Sequence, residues 1–362
     1  MSLTVLSVAF PFAAVGPACV GGAEQILGEL DRALVAAGQI SIVLARDGSQ
    51  SAGKLIAISG PQPEILDARV QSAGRARVQH AIDRALAAYP VDLVHMHCMD
   101  FHAYTLPASL PVLVTLHLPV SWYPSEVWAR FPHYRFCFVS QSQRRTCPLE
   151  LANSCIIENG VPIPPKLAEL PRGDYALVLG RICPEKNAHE ALEAGSRAGI
   201  PVWLAGQVFP YPAHLDYFRR KIEPLLRERR NGVRHRFLGP VGPEERNRLL
   251  AGARCLLHPT LAPETSSLAA MEALASGTPV VAYPSGALPE IVDQGITGFL
   301  VRNMDEMAAA LARVATLSAG ACRRAAQQRF DSRRMVRRYF DEYESLVRAA
   351  HAGAAQPEVL HA

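Results

Sequence analysis

Short apolar runs alternate with amphipathic segments along almost the whole chain, and this alternation restricts the fold more than any other feature of the sequence. A strand covered on both faces reads as a continuous apolar run, whereas the helices covering it carry a single apolar stripe. Residues 3–9, 40–44, 91–97, 112–117 and 136–140 are such runs in the first half. Residues 175–179, 202–205, 236–238, 255–257 and 280–282 repeat the pattern in the second. Helical spacing lies between them, first at 23–37, where Ile26, Leu27, Leu30 and Leu34 share a face and Gly38 closes the segment. Further helices are expected at 69–88, 187–198, 214–229, 243–252, 267–276 and 287–293. The last, at 332–349, carries Met335, Tyr339, Tyr343 and Leu346 on one stripe. The pattern predicts an α/β protein with parallel sheets.

A chain of 362 residues exceeds one comfortable core, and a Pro-rich stretch around 162–171 marks a boundary. We expect one domain over 1–165, a second over 166–331, and a flexible tail over 351–362. Neither half has G-x-G-x-x-G after its first strand, which removes the main support for a nicotinamide dehydrogenase. The net charge of +4 suits anionic small molecules or peripheral contact with an anionic membrane, and calls for no nucleic acid. The eight cysteines form no C-x-x-C pair and read as reduced thiols of a cytoplasmic protein. The apolar N-terminal run lacks a basic residue before Arg32 and contains Pro11 and Pro17, so it reads as a strand and its loop rather than a secretory signal.

Ligands of open parallel sheets bind beyond the carboxyl ends of the strands, and the chemically capable residues fall there. Gly21 and Gly22 lie between the first strand and first helix, where an anion can approach backbone N–H groups; a plain turn uses the same residues. His97 and His117 each end a strand and can donate to sugar hydroxyls or phosphates. His95 shares a strand face with His97, but neither Cys98 nor His102 completes a metal-ligand spacing, so no metal site is expected. Arg181 and Lys186, in LGRICPEKN, flank a strand end before a helix, where two cations can neutralise a diphosphate; solvated surface charges share that spacing. Glu264 precedes a helix that Thr265, Ser266 or Ser267 can cap, and Glu272 lies about one turn inside it. These carboxylates bracket a helix N-terminus, so one can bind hexose hydroxyls and the other ribose, with phosphate on the amides between. A capped surface helix with an early acidic residue is the alternative.

Taken in order, these segments resemble the retaining glycosyltransferases of family 4, which have the GT-B fold of two Rossmann-like domains facing across a cleft. GGAEQILGELDRALVAAG is similar to the family's first loop and helix, VDLVHMHC and VLVTLHLP to its histidine-ended strands, and FVSQSQRR to its V-S-x-S segment. ENGVP, LGRICPEKN, the Glu264-to-Glu272 E-x(7)-E spacing and ASGTPVVAY follow in the family's order. The resemblance implies that Arg181 and Lys186 hold a donor diphosphate, that Glu272 binds the ribose and that Glu264 binds the transferred sugar. It also places His117 beside the anomeric centre, Gly22 over the phosphates, and the backbone of Val241 against the base. Gly21, His97, Ser267 and Leu268 are grouped with them as substrate-binding. The helix beginning at Ser332 resembles one that crosses back to the N-terminal domain. Two departures stand out: Thr265, Ser266 and Ser267 replace a common G-F-G, and Glu158 replaces the usual proline before Asn159.

The implied activity is hexosyl transfer from a nucleotide-diphosphate sugar to a glycan, lipid or small molecule. It needs no cofactor and no metal, and the leaving phosphate helps to deprotonate an acceptor attacking from the same face. A sugar-nucleotide epimerase can share the architecture but needs an acid/base pair on the sugar carbon, which no residues here supply. A non-catalytic nucleotide-sugar-binding protein is the third reading.

Overall fold

The computed structural model describes residues 2–16, 19–60, 65–147, 151, 153–165 and 173–354. Thirteen strands form two parallel sheets. The first contains β1 (Thr4–Val8), β2 (Ile40–Arg46), β3 (Lys54–Ile58), β4 (Leu93–Met96), β5 (Val112–Leu116), β6 (Arg135–Phe138) and β7 (Ser154–Ile156), in the order β3-β2-β1-β4-β5-β6-β7. The second contains β8 (Ala176–Leu179), β9 (Val202–Ala205), β10 (Arg236–Gly239), β11 (Leu256–His258), β12 (Val280–Ala282) and β13 (Gly298–Leu300), in the order β10-β9-β8-β11-β12-β13. β1, β4 and β5 are buried along their whole length, as apolar runs covered by helices on both faces require.

Each sheet reverses its strand order once, between β1 and β4 in the first and between β8 and β11 in the second. Loops leaving two such strands run in opposite directions and open a crevice at their carboxyl ends. The two crevices face each other, because residues following β1, β4, β8 and β11 line one cleft.

Several boundaries differ from expectation. β3, β7 and β13 are too short, or too exposed at a sheet edge, to stand out as apolar runs. The helix expected over 214–229 is Pro212–Tyr217, one π-helical turn Phe218–Ile222, and Glu223–Arg227. Pro224 has no N–H to donate, so an unbroken ladder cannot pass through it. The final helix is Ser332–Ala354, which corrects the tail assigned to 351–362 over its first four residues; 355–362 lie outside the described residues. So do 166–172, which carry most of the expected linker. Tyr339 and Tyr343 of that helix are fully buried, with their hydroxyls on Thr115 and His95 of the first sheet.

Candidate active site

The cleft is lined by all eleven residues singled out from sequence: Gly21, Gly22, His97, His117, Arg181, Lys186, Val241, Glu264, Ser267, Leu268 and Glu272. Its walls come from both sheets, and the approach is close. The α-carbon of Gly22 opens the first helix (Gly22–Ala36), and a β-carbon there would lie 3.5 Å from Leu268 Cδ1, at the start of the helix Leu268–Ala275. Two helix N-termini therefore converge on one space, each with unpaired amides and the positive end of its dipole. Gly21, the N-cap of the first helix, contributes no side-chain cap, and the Glu24 carboxyl fills the space its side chain would take. Ser267 caps the second by accepting from the Ala270 amide at 3.3 Å.

Three cations surround these helix ends, and two of them are paired with the expected carboxylates. Lys186 donates to Glu264 Oε1, which also meets His258 Nε2 at 3.2 Å. Burial pushes the Glu264 carboxyl up, but Lys186 and His258 outweigh it and hold the group well below the usual carboxylate range. Glu272 faces Arg246 at 3.2 Å, with side chains only 11% and 16% exposed. There burial dominates over Arg246, and the carboxyl is shifted upward. The two glutamates, alike in sequence, thus sit in different electrostatic settings. Arg181 lies at the end of β8 in the same cleft.

On the opposite wall, His117 Nε2 contacts His97 Nδ1 at 3.2 Å, and His97 Nε2 contacts His95 Nδ1 at 3.1 Å. His95 Nδ1 also meets the Tyr343 hydroxyl at 2.7 Å, and its Nε2 meets Thr115 Oγ1 at 2.8 Å. Burial holds all three imidazoles neutral, with His117 lowered to about 3. A neutral imidazole has one donor and one acceptor nitrogen, so the chain runs in a single sense. The Tyr343 and Thr115 hydroxyls can each donate or accept, and the sense adopted at His95 is passed through His97 to His117. His95 is committed to this chain through both nitrogens.

Among the cleft residues not singled out from sequence, four bear on its chemistry. His258 ends β11 as His97 follows β4, so the strand-end rule that located His97 and His117 would have found it. Glu24, at the start of the first helix, is buried with its carboxyl shifted upward by desolvation, partly offset by its own backbone amide and Arg181. Arg246 lies on the helix Pro243–Gly252 and carries no motif signal. Asn159, read only as part of ENGVP, lines the cleft with a buried Oδ1 that has no partner among the described residues. Thr265, which departs from the family pattern, ties the walls together by donating to the His117 carbonyl at 3.0 Å. Arg145 and Glu290 add a second link, an ion pair of 2.7 Å.

A D-inositol 3-phosphate glycosyltransferase of Streptomyces scabiei is 46% identical over 79 residues, which is 22% of this chain and 17% of that protein. The chain thus matches less than a fifth of that relative's length. The sucrose-phosphate synthase of Thermosynechococcus elongatus superposes with a TM-score of 0.76 at 20% identity, over 96% of this chain and 100% of that one. Anabaena HepE in complex with UDP-glucose gives 0.73 at 18%, over 95% and 100%. Residues 174–316 match the family model described as glycosyl transferases group 1, and the two facing Rossmann-like sheets have the GT-B architecture.

Proposed function

We propose that this protein is a retaining, metal-independent hexosyltransferase of the family 4 type, moving a sugar from a nucleotide diphosphate to an acceptor hydroxyl. The observation that carries this reading is the convergence of two helix N-termini, Arg181, Lys186 and Arg246 on one cleft that also holds Glu264 and Glu272. Departure of a diphosphate builds negative charge on its oxygens, and fixed amides and cations aimed there stabilise the transition state more than the ground state. In this reading the bond from the anomeric carbon to the diphosphate oxygen breaks, and the acceptor oxygen bonds to the same face. Its proton passes to the leaving phosphate. Glu264, fixed by Lys186 and His258, orients the sugar; Glu272, fixed by Arg246, takes the ribose; neutral His117 orients the reacting centre.

The UDP-glucose held by Anabaena HepE makes uridine diphosphate sugars the first donors to try. The acceptor is a glycan, lipid or small molecule. The absence of a C-x-x-C framework in the sequence suits a reducing cytoplasm, and among the described residues no helix is long and apolar enough to cross a membrane. The +4 charge is compatible with peripheral contact at an anionic surface. Incubation with labelled nucleotide sugars in excess chelator tests the proposal. Transfer or slow donor hydrolysis supports it. An epimerised nucleotide sugar, binding without turnover, or activity that only an oxygen-preferring ion such as magnesium or manganese restores would each overturn it.

A further inference from the structure

One cluster in the second domain lies outside the cleft lining. Cys183 precedes the short 3-10 turn Pro184–Lys186, Glu185 lies within it, and His214 comes from the helix Pro212–Tyr217. One ligand atom from each of the three lies within 4.8 Å of the other two. Cys183 is fully buried and His214 is 7% exposed. His214 Nδ1 and Glu185 Oε2 are buried without a hydrogen-bond partner among the described residues. A buried polar atom left unpaired costs about 1–3 kcal/mol, so two of them on residues clustered with one thiol, itself in contact with the Glu185 carboxyl group, need a physical reason.

We propose that Cys183, Glu185 and His214 form a site for one thiophilic divalent cation of the zinc class. The donor set selects that class: one sulfur, one imidazole nitrogen and one carboxylate oxygen suit zinc, whereas calcium and magnesium require shells of oxygen. Zinc–sulfur and zinc–nitrogen bonds of about 2.3 and 2.0 Å bring tetrahedral donors to about 3.5 Å from one another. Ligation would leave a thiolate and a carboxylate, whose two negative charges balance the dication despite Arg181 nearby.

Such a cation, with water in its fourth position, would position the segments it joins rather than act on substrate. None of its three ligands lines the cleft. The turn it would clamp nevertheless carries Lys186, whose amide donates to the Cys183 carbonyl at 3.1 Å. The Glu185 carbonyl accepts from the Leu261 amide at 2.8 Å and from Thr260 Oγ1 at 3.2 Å, on the segment leading to Glu264. A bound cation would therefore tie the Pro212–Tyr217 helix to the two segments that present Lys186 and Glu264.

The test uses the metal alone on full-length protein stripped with chelator. Cobalt(II) should give a thiolate-to-metal charge-transfer band, and zinc competed against a chromophoric chelator should bind at one equivalent and raise Tm. Cys183→Ser and His214→Ala should each weaken zinc at least about tenfold. Cys147→Ser, at a thiol outside the cluster, should not. Circular dichroism establishes that each variant folds, and the charge-transfer band of the parent reports thiolate ligation even where a variant does not. Absence of that band in the parent, or zinc affinity unchanged in folded Cys183→Ser, would overturn the site.

Discussion

Replacing Glu264 with glutamine removes one charge and keeps the shape of the side chain, so it isolates what the ion pair with Lys186 supplies. Glu264 Oε1 serves both Lys186 and His258, and the two acid and base side chains of the pair are 9% and 23% exposed. A hydrogen bond with an ionised partner contributes about 1.5–3 kcal/mol, against about 0.5–1.5 for a neutral one. Glu264→Gln should therefore cost about 1–1.5 kcal/mol of stability and retain part of the activity, because the amide keeps an acceptor oxygen for His258 and the sugar. Glu264→Ala should cost about 3 kcal/mol, the low end for breaking a buried pair, since Lys186 keeps some contact with water. Turnover should fall about 10²-fold in the alanine variant, as for loss of a group that acts in the transition state. Lys186, released from its carboxylate, should bind the nucleoside diphosphate at least as tightly as before. Denaturant unfolding, steady-state kinetics and calorimetry with UDP measure the three quantities. Parental turnover of Glu264→Ala at saturating donor would refute the reasoning and leave Glu264 as a residue that only positions the helix.

Glu272→Ala should raise the Michaelis constant for donor with little change in turnover, because the ribose does not react; a fall in turnover alone would contradict that. Lys186→Ala should weaken UDP by about 1.5–3 kcal/mol, and equal calorimetric affinity would exclude a diphosphate contact. His97 is neutral when folded, with its pKa well below 6.5, so the unfolded chain binds more protons and stability falls as pH drops below 6.5. His97→Gln should flatten that decline by up to about 1.4 kcal/mol per pH unit, read from unfolding midpoints; parallel profiles would show that His97 does not contribute. Gly286 has φ +56°, and a β-carbon there would lie 2.1 Å from the Glu264 carbonyl oxygen. Gly286→Ala should cost at least about 2 kcal/mol and reduce turnover, whereas parental stability would mean that this backbone contact relaxes freely.

The core strands were legible in the sequence because burial on both faces demands continuous apolar runs, and β1, β4, β5, β9 and β12 have them. The cleft was legible for a related reason: ligand-facing residues collect at strand ends, and Gly22, His97, His117 and Arg181 are local to those ends in the chain. Edge strands such as β3 are half exposed, so their composition carries no comparable signature. What only the tertiary structure decided is pairing. Lys186 meets Glu264 across 78 positions, Arg246 meets Glu272 from another helix, and Tyr343 reaches His95 from the far end of the chain. Charge and hydrogen-bond energies depend on distance in space and on local burial. Sequence can therefore name a glutamate near a helix start, but only the fold settles that Glu264 is held ionised by a lysine while burial draws Glu272 toward its neutral form.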